Sequence, residues 1–560
     1  VRFRTLAGAA AIAAMAWGGP AMAGDRIDWT GFYLGGHLGL LFSTTSFTDP
    51  VGPSIYGGSV AAGGALAGFQ AGYNRQVAPQ WVLGIEGEYS FLGAYGSNTC
   101  LQSSTTIVGS NCKVTPREVA TVAGRAGFLT EPGGRTMIYG KAGVAWARSD
   151  VSLNPNNAPT QQQAWTDDGI TLNGIADSGP ATSASFGAWG PMVGAGFEHA
   201  FSPRWSLKGE YSYLHFSGMN LATPDPTDVS EGGVVTNLNS AGSSFVRQNL
   251  HLAKIGLNYR FGAGSSSSSS DGASPQAAPF APGWEFDVGT RFWYSSGRYQ
   301  NQNGGQNMLV SRLTYSDVTG QSGELFARVD TPFNVFVKGF VGAGGLANGH
   351  MYDEDWGLSF TALPNSYEVT QSDVLGTLHY ITGDVGYNVL RGADHKVGLF
   401  VGYNRYETTM NGMGCVQLVA PASGICSSPP IAGGTTVISQ IDAWQSVRLG
   451  VAAEALLWNR LKVGADIAWL PYVKYDGLDI HRVRNLYFPV QGTGTGVQGE
   501  LILTYMATEK FGIGIGGRYW SMWSTNAMDV GQGNGINYFP VETDRYGVFL
   551  QASYKFTAGR

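Results

Sequence analysis

The chain carries one strand signature twice. Lys254-Ile-Gly-Leu-Asn-Tyr-Arg-Phe261 and Val548-Phe-Leu-Gln-Ala-Ser-Tyr-Lys-Phe556 both alternate apolar with polar residues and both finish on phenylalanine. In the second, Tyr546, Val548, Leu550, Ala552, Tyr554 and Phe556 share one face, and Gln551, Ser553 and Lys555 share the other. A period of two with one oily and one polar face suits a strand between lipid and a polar lumen. Two closing strands in one chain predict two barrels in series, not one large pore.

Arg2 and Arg4, the apolar stretch Leu6 to Trp17 and the small-residue site Ala21-Met22-Ala23 read as a secretory signal over residues 1–23, with a mature start at Gly24. No later segment has the run of roughly 18 apolar residues that a transmembrane helix needs. An exported chain of alternating segments can enter a membrane only as closed barrels, because lipid cannot satisfy an open sheet edge. Charged residues make up 13% of the chain, about half the soluble average. The net charge of -6 argues against nucleic acid as a partner. Cys100/Cys112 and Cys415/Cys426 are close in sequence and have no neighbouring histidine. In an oxidising compartment they pair locally as two loop staples, and metal binding is the poorer reading.

The expected fold is all-β: two tandem antiparallel transmembrane β-barrels joined by a Ser/Ala/Pro-rich linker. Residues 24–262 supply eight strands, 263–282 the flexible linker and 283–560 ten strands. The second count becomes even when Asn307–Pro332 reads as one long strand kinked near Gly320. Even counts put both ends of each barrel, and the linker, on the periplasmic side, with long loops outside. In the first barrel, alternation turns Glu86, Glu88, Lys141, Lys208, Glu210 and Lys254 inward. Eight strands enclose only enough room for side chains, so these charges pair and plug the lumen.

Two of the expected outer loops, 347–373 and 473–494, carry acidic and histidine residues next to the strand ends. One begins Met351-Tyr-Asp-Glu-Asp-Trp356; the other contains Asp476-Gly-Leu-Asp-Ile-His481. Residues two apart on an extended segment point the same way. Asp353 and Asp355 would then face one wall of a cleft, and Asp479 and His481 the other. An aspartate beside a histidine strengthens it as a base, and two carboxylates opposite would hold the water it deprotonates. Blander readings stand beside this one. Asp353, Glu354 and Asp355 also suit a solvated loop or a weak calcium site. His481, with Arg482 and Arg484 after it, also suits a basic loop facing lipopolysaccharide phosphates.

Trp29-Thr-Gly-Phe-Tyr-Leu-Gly-Gly36 and Gly256-Leu-Asn-Tyr-Arg-Phe261 resemble the small OmpA-like surface antigens of Gram-negative outer membranes. That resemblance implies a structural or porin-like role. The second half resembles the omptin family of outer-membrane proteases, through Asp353-x-Asp355-Trp356 in the second outer loop and Asp479-x-His481 in the fourth. Gly289-Thr290, Ser311-Arg-Leu-Thr-Tyr315, Gly398-Leu-Phe-Val-Gly-Tyr403 and Tyr554-Lys-Phe556 stand in the matching order. By this resemblance Asp353 and Asp355 are the acidic pair and Asp479 and His481 the dyad of an endopeptidase that needs no metal or organic cofactor. It also implies a requirement for lipopolysaccharide, held outside the barrel near Tyr403-Asn-Arg-Tyr-Glu407, and a peptide or protein substrate. Members that cut between basic residues keep acids where this chain has Gly297 and Gly477, so cleavage here is not expected to be confined to basic sites. The competing function is a non-enzymatic surface protein, adhesin or narrow porin. Both readings place the chain in the Gram-negative outer membrane with its loops extracellular.

Overall fold

The computed structural model describes residues 27–48, 58–102, 109–130, 133–155, 161–167, 170–176, 182–222, 227–229, 235–237, 243–261, 283–305, 308–356, 367–392, 395–419, 426, 430–458, 460–524, 526–529 and 540–558. The signal expected at 1–23 and the linker expected at 263–282 lie outside these residues.

The described chain is all-β. The first ring consists of β1 (Gly31–Phe47), β2 (Ser59–Ala78), β3 (Trp81–Gln102), β4 (Gly109–Leu129), β5 (Thr136–Pro155), β6 (Thr182–Ala200), β7 (Trp205–Ala222) and β8 (Ser243–Arg260). The second consists of β9 (Trp284–Gly305), β10 (Met308–Asp330), β11 (Val335–Trp356), β12 (Tyr367–Arg391), β13 (His395–Val419), β14 (Ile431–Trp458), β15 (Leu461–His481), β16 (Leu486–Met506), β17 (Phe511–Ser524) and β18 (Glu542–Ala558). Every strand of the two rings pairs antiparallel with its ring neighbours, and first pairs with last. Leu41 of β1 lies opposite Leu252 of β8, and Phe292 of β9 opposite Leu550 of β18. The expected eight-plus-ten architecture is what forms.

Alternation decides which side chains meet lipid. Phe69, Trp189, Leu325 and Leu550 point outward and are more than half exposed, while Gln551 and Ser553 turn in and are buried. In the first lumen, Lys141, Lys208, Lys254 and Arg125 interleave with Glu86, Glu88, Glu198 and Glu210. Lys208 reaches Glu86 at 3.0 Å and Glu88 at 2.9 Å; Lys254 reaches Glu210 at 2.7 Å; Arg125 reaches Glu198 at 2.6 Å. This is the predicted plug. The second lumen is filled in layers. Arg518 bonds Glu324 at 2.7 Å and Glu500 at 2.6 Å, Lys396 bonds Asp330 at 2.9 Å, and Arg448 bonds Asp384 at 2.9 Å. Above these ions Trp293, Tyr380 and Tyr406 pack edge-on around Trp520, with ring centres 5.1 to 5.5 Å away. Among the described residues neither lumen is an open channel.

The strands run further than expected. β14 is 28 residues long, whereas about 9–11 cross a bilayer. The segments assigned to outer loops at Met351–Trp356 and Asp476–His481 are the outer ends of β11 and β15. Their walls rise beyond the membrane because each still has a neighbour on both sides to complete its backbone bonds. The kink expected near Gly320 is an irregularity three residues earlier, where Asp317 (φ 57°) opposes Asn348 (φ 60°) and Gly349 (φ 78°). At Gly349 a Cβ would strike the Ser316 and Asp317 backbone. The irregularity resets the in–out phase of both strands above it.

The two rings stand side by side with their tight turns at the same end. There Phe201 packs on His395, with ring centres 4.8 Å apart. Higher up, Phe197 meets Ala455 and Val463, then Leu40 meets Val497 and Tyr519. Leu40 is 6%, Val497 1% and Tyr519 5% exposed, although all three point outward. The contact line crosses β6, β1–β2 and β3–β4 of one ring and β13–β15, β16–β17 and β9–β11 of the other. That succession follows from two tilted sheets touching along their length.

Both expected disulfides form, Cys100–Cys112 and Cys415–Cys426. Each closes a short loop, which restricts the unfolded chain by about 3 kcal/mol at most. Reduction is therefore expected to loosen the outer hairpins and leave both barrels folded. Non-reducing peptide mapping checks the pairing, and crossed pairs or free thiols would refute it.

Candidate active site

On β13 the outward residues change from Leu399 and Val401 to Tyr403, then to Arg405 and Glu407. An aromatic followed by charges marks the upper rim of the lipid-facing band. The four residues singled out from the sequence lie above this rim.

Beyond the irregularity at Asn348–Gly349, β11 turns Met351, Asp353 and Asp355 inward and Glu354 outward. The three acids do not converge, so a calcium site built from Asp353, Glu354 and Asp355 is not what the strand presents. Two strands before the ring returns to β16, β14 turns Trp444, Asp442 and Gln440 inward. Next to it, β15 turns in Tyr475, Gly477, Asp479 and His481. Across the register Asp479 pairs with Gln440 and Gly477 with Asp442.

The Asp479 carboxylate lies 3.3 Å from His481 Nε2. His481 Nδ1 accepts a bond from the Arg484 guanidinium, and Phe488 meets the ring edge-on at 5.2 Å. Burial alone would lower the His481 pKa, but the Asp479 charge and hydrogen bond outweigh it, with help from Asp353, and the pKa is raised. Asp353 is pushed up to about 7 by burial and then by the Asp355 charge. Asp355 is pushed up to about 6 by burial, opposed by Arg484 and by a bond with Ser311. His481 also lowers both carboxyls, so all four predicted residues act on one electrostatic site. An acidic pair with these values can hold a proton near neutrality.

A polar floor underlies the dyad. Tyr475 donates to Asp442 at 2.7 Å, the Tyr299 and Tyr475 hydroxyls lie 2.7 Å apart, and Gln440 donates to Asp442 at 2.8 Å. Burial pushes Asp442 up to about 7. Among the described residues, Asp479 Oδ1, Gln440 Oε1, Trp444 Nε1 and Tyr315 Oη are buried without a protein partner. Polar atoms in that state call for water or a bound polar group. The Arg545 guanidinium lies over Gly297 and the Tyr475 hydroxyl over Gly477, so a side chain at either position would have to displace them.

Sequence reasoning missed Asp442, Tyr475 and the part played by Arg484. Counting inward positions down β14 would have found Asp442. Arg484 follows a reversal after His481, where alternation has no meaning. Its charge lowers the His481 pKa. Arg484→Gln is therefore expected to raise that pKa and move the acid limb of any His481-dependent activity to higher pH. A pH–rate profile checks this, and an unmoved or lowered limb would refute it.

Residues 7–261 match the outer membrane protein beta-barrel domain family. The same half is similar to the 31 kDa outer-membrane immunogenic protein of Brucella melitensis biotype 1. The two are 29% identical over 245 residues, 42% of this chain and 85% of the relative. The chain is an outer-membrane β-barrel protein. Among solved structures, the outer membrane protease OmpT from Escherichia coli is matched over 52% of this chain and 100% of its own, at 13% identity and a TM-score of 0.39. Ail, the attachment invasion locus protein of Yersinia pestis, is matched over 41% of this chain and 99% of its own, at 13% identity and a TM-score of 0.18.

Proposed function

We propose that the second barrel is an omptin-type endopeptidase of the outer membrane, with Asp479 and His481 activating water against the Asp353/Asp355 wall. The observation that carries this reading is the Asp479–His481 pair, whose histidine shares its electrostatic field with both opposing carboxyls. Asp479 stays ionised, accepts a hydrogen bond from Nε2–H and holds the ring's orientation, leaving Nδ1 as the base. Arg484 now donates to that nitrogen, so the base is exposed to water when Arg484 moves aside. Asp353 and Asp355, one of them protonated, would orient the water and the scissile carbonyl. With Arg545 and Tyr475 over Gly297 and Gly477, no carboxylate selects a basic residue at those positions, and cleavage is expected at other sites as well.

Lipopolysaccharide is the proposed lipid partner. Outside the barrel, a concavity of about 400 Å³ is lined by His379, Glu407, Thr409, Asp476 and Leu478. Arg405 bonds Glu407 and Lys474 bonds Asp476 beside it. The test is to refold the full chain, add lipopolysaccharide and supply a diverse peptide pool. Cleavage that depends on lipopolysaccharide supports the reading. Folded, lipopolysaccharide-bound protein that cuts nothing favours a non-enzymatic surface protein, the role we propose for the first barrel by its likeness to the Brucella protein. In an active protein, Asp353→Ala or Asp355→Ala should lower kcat by about 10²-fold or more with assembly intact. Heat-modifiable migration on gels checks assembly, and an unchanged kcat would remove the pair from the mechanism.

A further inference from the structure

Above the bilayer, outward residues of a barrel ordinarily face water. On β9–β11 four of them do not: Gln300, Gln302 and Arg312 are 0% and Glu354 1% exposed. The upper end of the first barrel's β3–β4 hairpin covers them. Arg312 Nη1 donates to Thr99 Oγ1 at 2.7 Å, and its other arm bonds Asn111. Thr99 Oγ1 donates to Glu354 at 2.7 Å, and Arg312 lies 3.9 Å from the same carboxylate. Gln302 donates to Ser97 Oγ at 2.7 Å, and Arg298 to the Ser97 carbonyl at 3.0 Å. Thr99 and Asn111 face each other across the hairpin, which the Cys100–Cys112 bond staples beside them.

We propose that this hairpin of the first barrel is a clamp that positions the acidic wall of the second barrel's site by fixing Glu354 and Arg312 outward. The functional part rests on the endopeptidase reading above. Glu354 lies between Asp353 and Asp355 on one strand, and Arg312 opposite it lies between Ser311 and Leu313. Successive side chains of a strand point to opposite faces, so holding Glu354 out holds both aspartates in. The wall is near its free upper end, where strands fray most readily. Without the hairpin, Arg312 and Glu354 would form a solvated surface pair, worth little and free to separate. With it, they are a buried pair bridged by Thr99, and their geometry is set by a body more than 200 residues away in sequence. Thr99 and Asn111 are thus positioning residues, remote from the cleft.

The test uses the full chain and the double substitution Thr99→Val with Asn111→Leu. Hydrogen exchange read by mass spectrometry should show the Met351–Trp356 segment losing about tenfold or more in protection, with membrane-spanning segments unchanged. On a cleaved peptide, kcat should fall by about 10- to 100-fold with KM nearly unmoved, and Thr99→Ser alone should retain activity. Separately, Ser97→Cys with Gln300→Cys, plus a protease site placed in the linker, should leave the two halves joined on a non-reducing gel after the linker is cut. Unchanged exchange in the double variant, or halves that separate, overturns the clamp. Altered exchange with a wild-type protein that cuts no peptide upholds the clamp and removes the endopeptidase reading instead. Altered exchange with undiminished kcat overturns the positioning role.

Discussion

Replacing His481 with alanine is expected to abolish peptide cleavage and leave the barrel assembled. Its ring is the only imidazole paired to a carboxylate within the cleft among the described residues, and Asp479 raises its basicity. General-base assistance contributes about 10²–10⁴-fold, and loss of the only base should approach the upper end. Asp479→Asn should come close to it, because an amide keeps the shape but withdraws the charge that stabilises the imidazolium. The raised pKa also fixes the pH response. His481 stays protonated to a higher pH than an ordinary histidine, so activity should be lost on the acid side and recover above the usual imidazole range. Rates measured across pH on one cleaved peptide, with folding checked by heat-modifiable migration, decide the matter. Undiminished cleavage by the His481→Ala protein would end the proposed mechanism.

Lys208→Met is expected to destabilise the first barrel more than any surface change. The Lys208 ammonium is wholly buried and lies 3.0, 2.9 and 3.4 Å from Glu86, Glu88 and Glu210. Methionine keeps the stem and removes the charge, which leaves those carboxylates short of one cation in a closed lumen. Breaking a buried ion network from one side costs about 3–5 kcal/mol. Urea unfolding in lipid vesicles should show the first barrel's transition moved to markedly lower urea and the second barrel's transition nearly unmoved. Coincident wild-type and variant curves would mean that water, not charge pairing, fills the lumen.

The period of two along each strand determined the two closed rings, the lipid-facing residues and the charged plug. It is a local pattern, and a barrel strand has only two environments to choose between, lipid and lumen. Glu86, Lys208 and Lys254 could be assigned inward before any partner was known. The same rule found Asp353, Asp355, Asp479 and His481 as same-face pairs, although it placed them on loops. Above the rim both faces of a strand meet polar surroundings, so the alternation that marks a strand fades even though the backbone bonds continue. The reset at Asn348–Gly349 depends on the neighbouring strands, and the turn that returns Arg484 to His481 is a local reversal; neither leaves a periodic trace. The contact between the barrels was decided by tertiary structure alone. Leu40 and Val497 are apolar outward residues whether they meet lipid or each other, and Arg312 and Glu354 are ordinary surface charges until another barrel covers them. Chemistry that satisfies either neighbour equally well cannot say in advance which neighbour it will have.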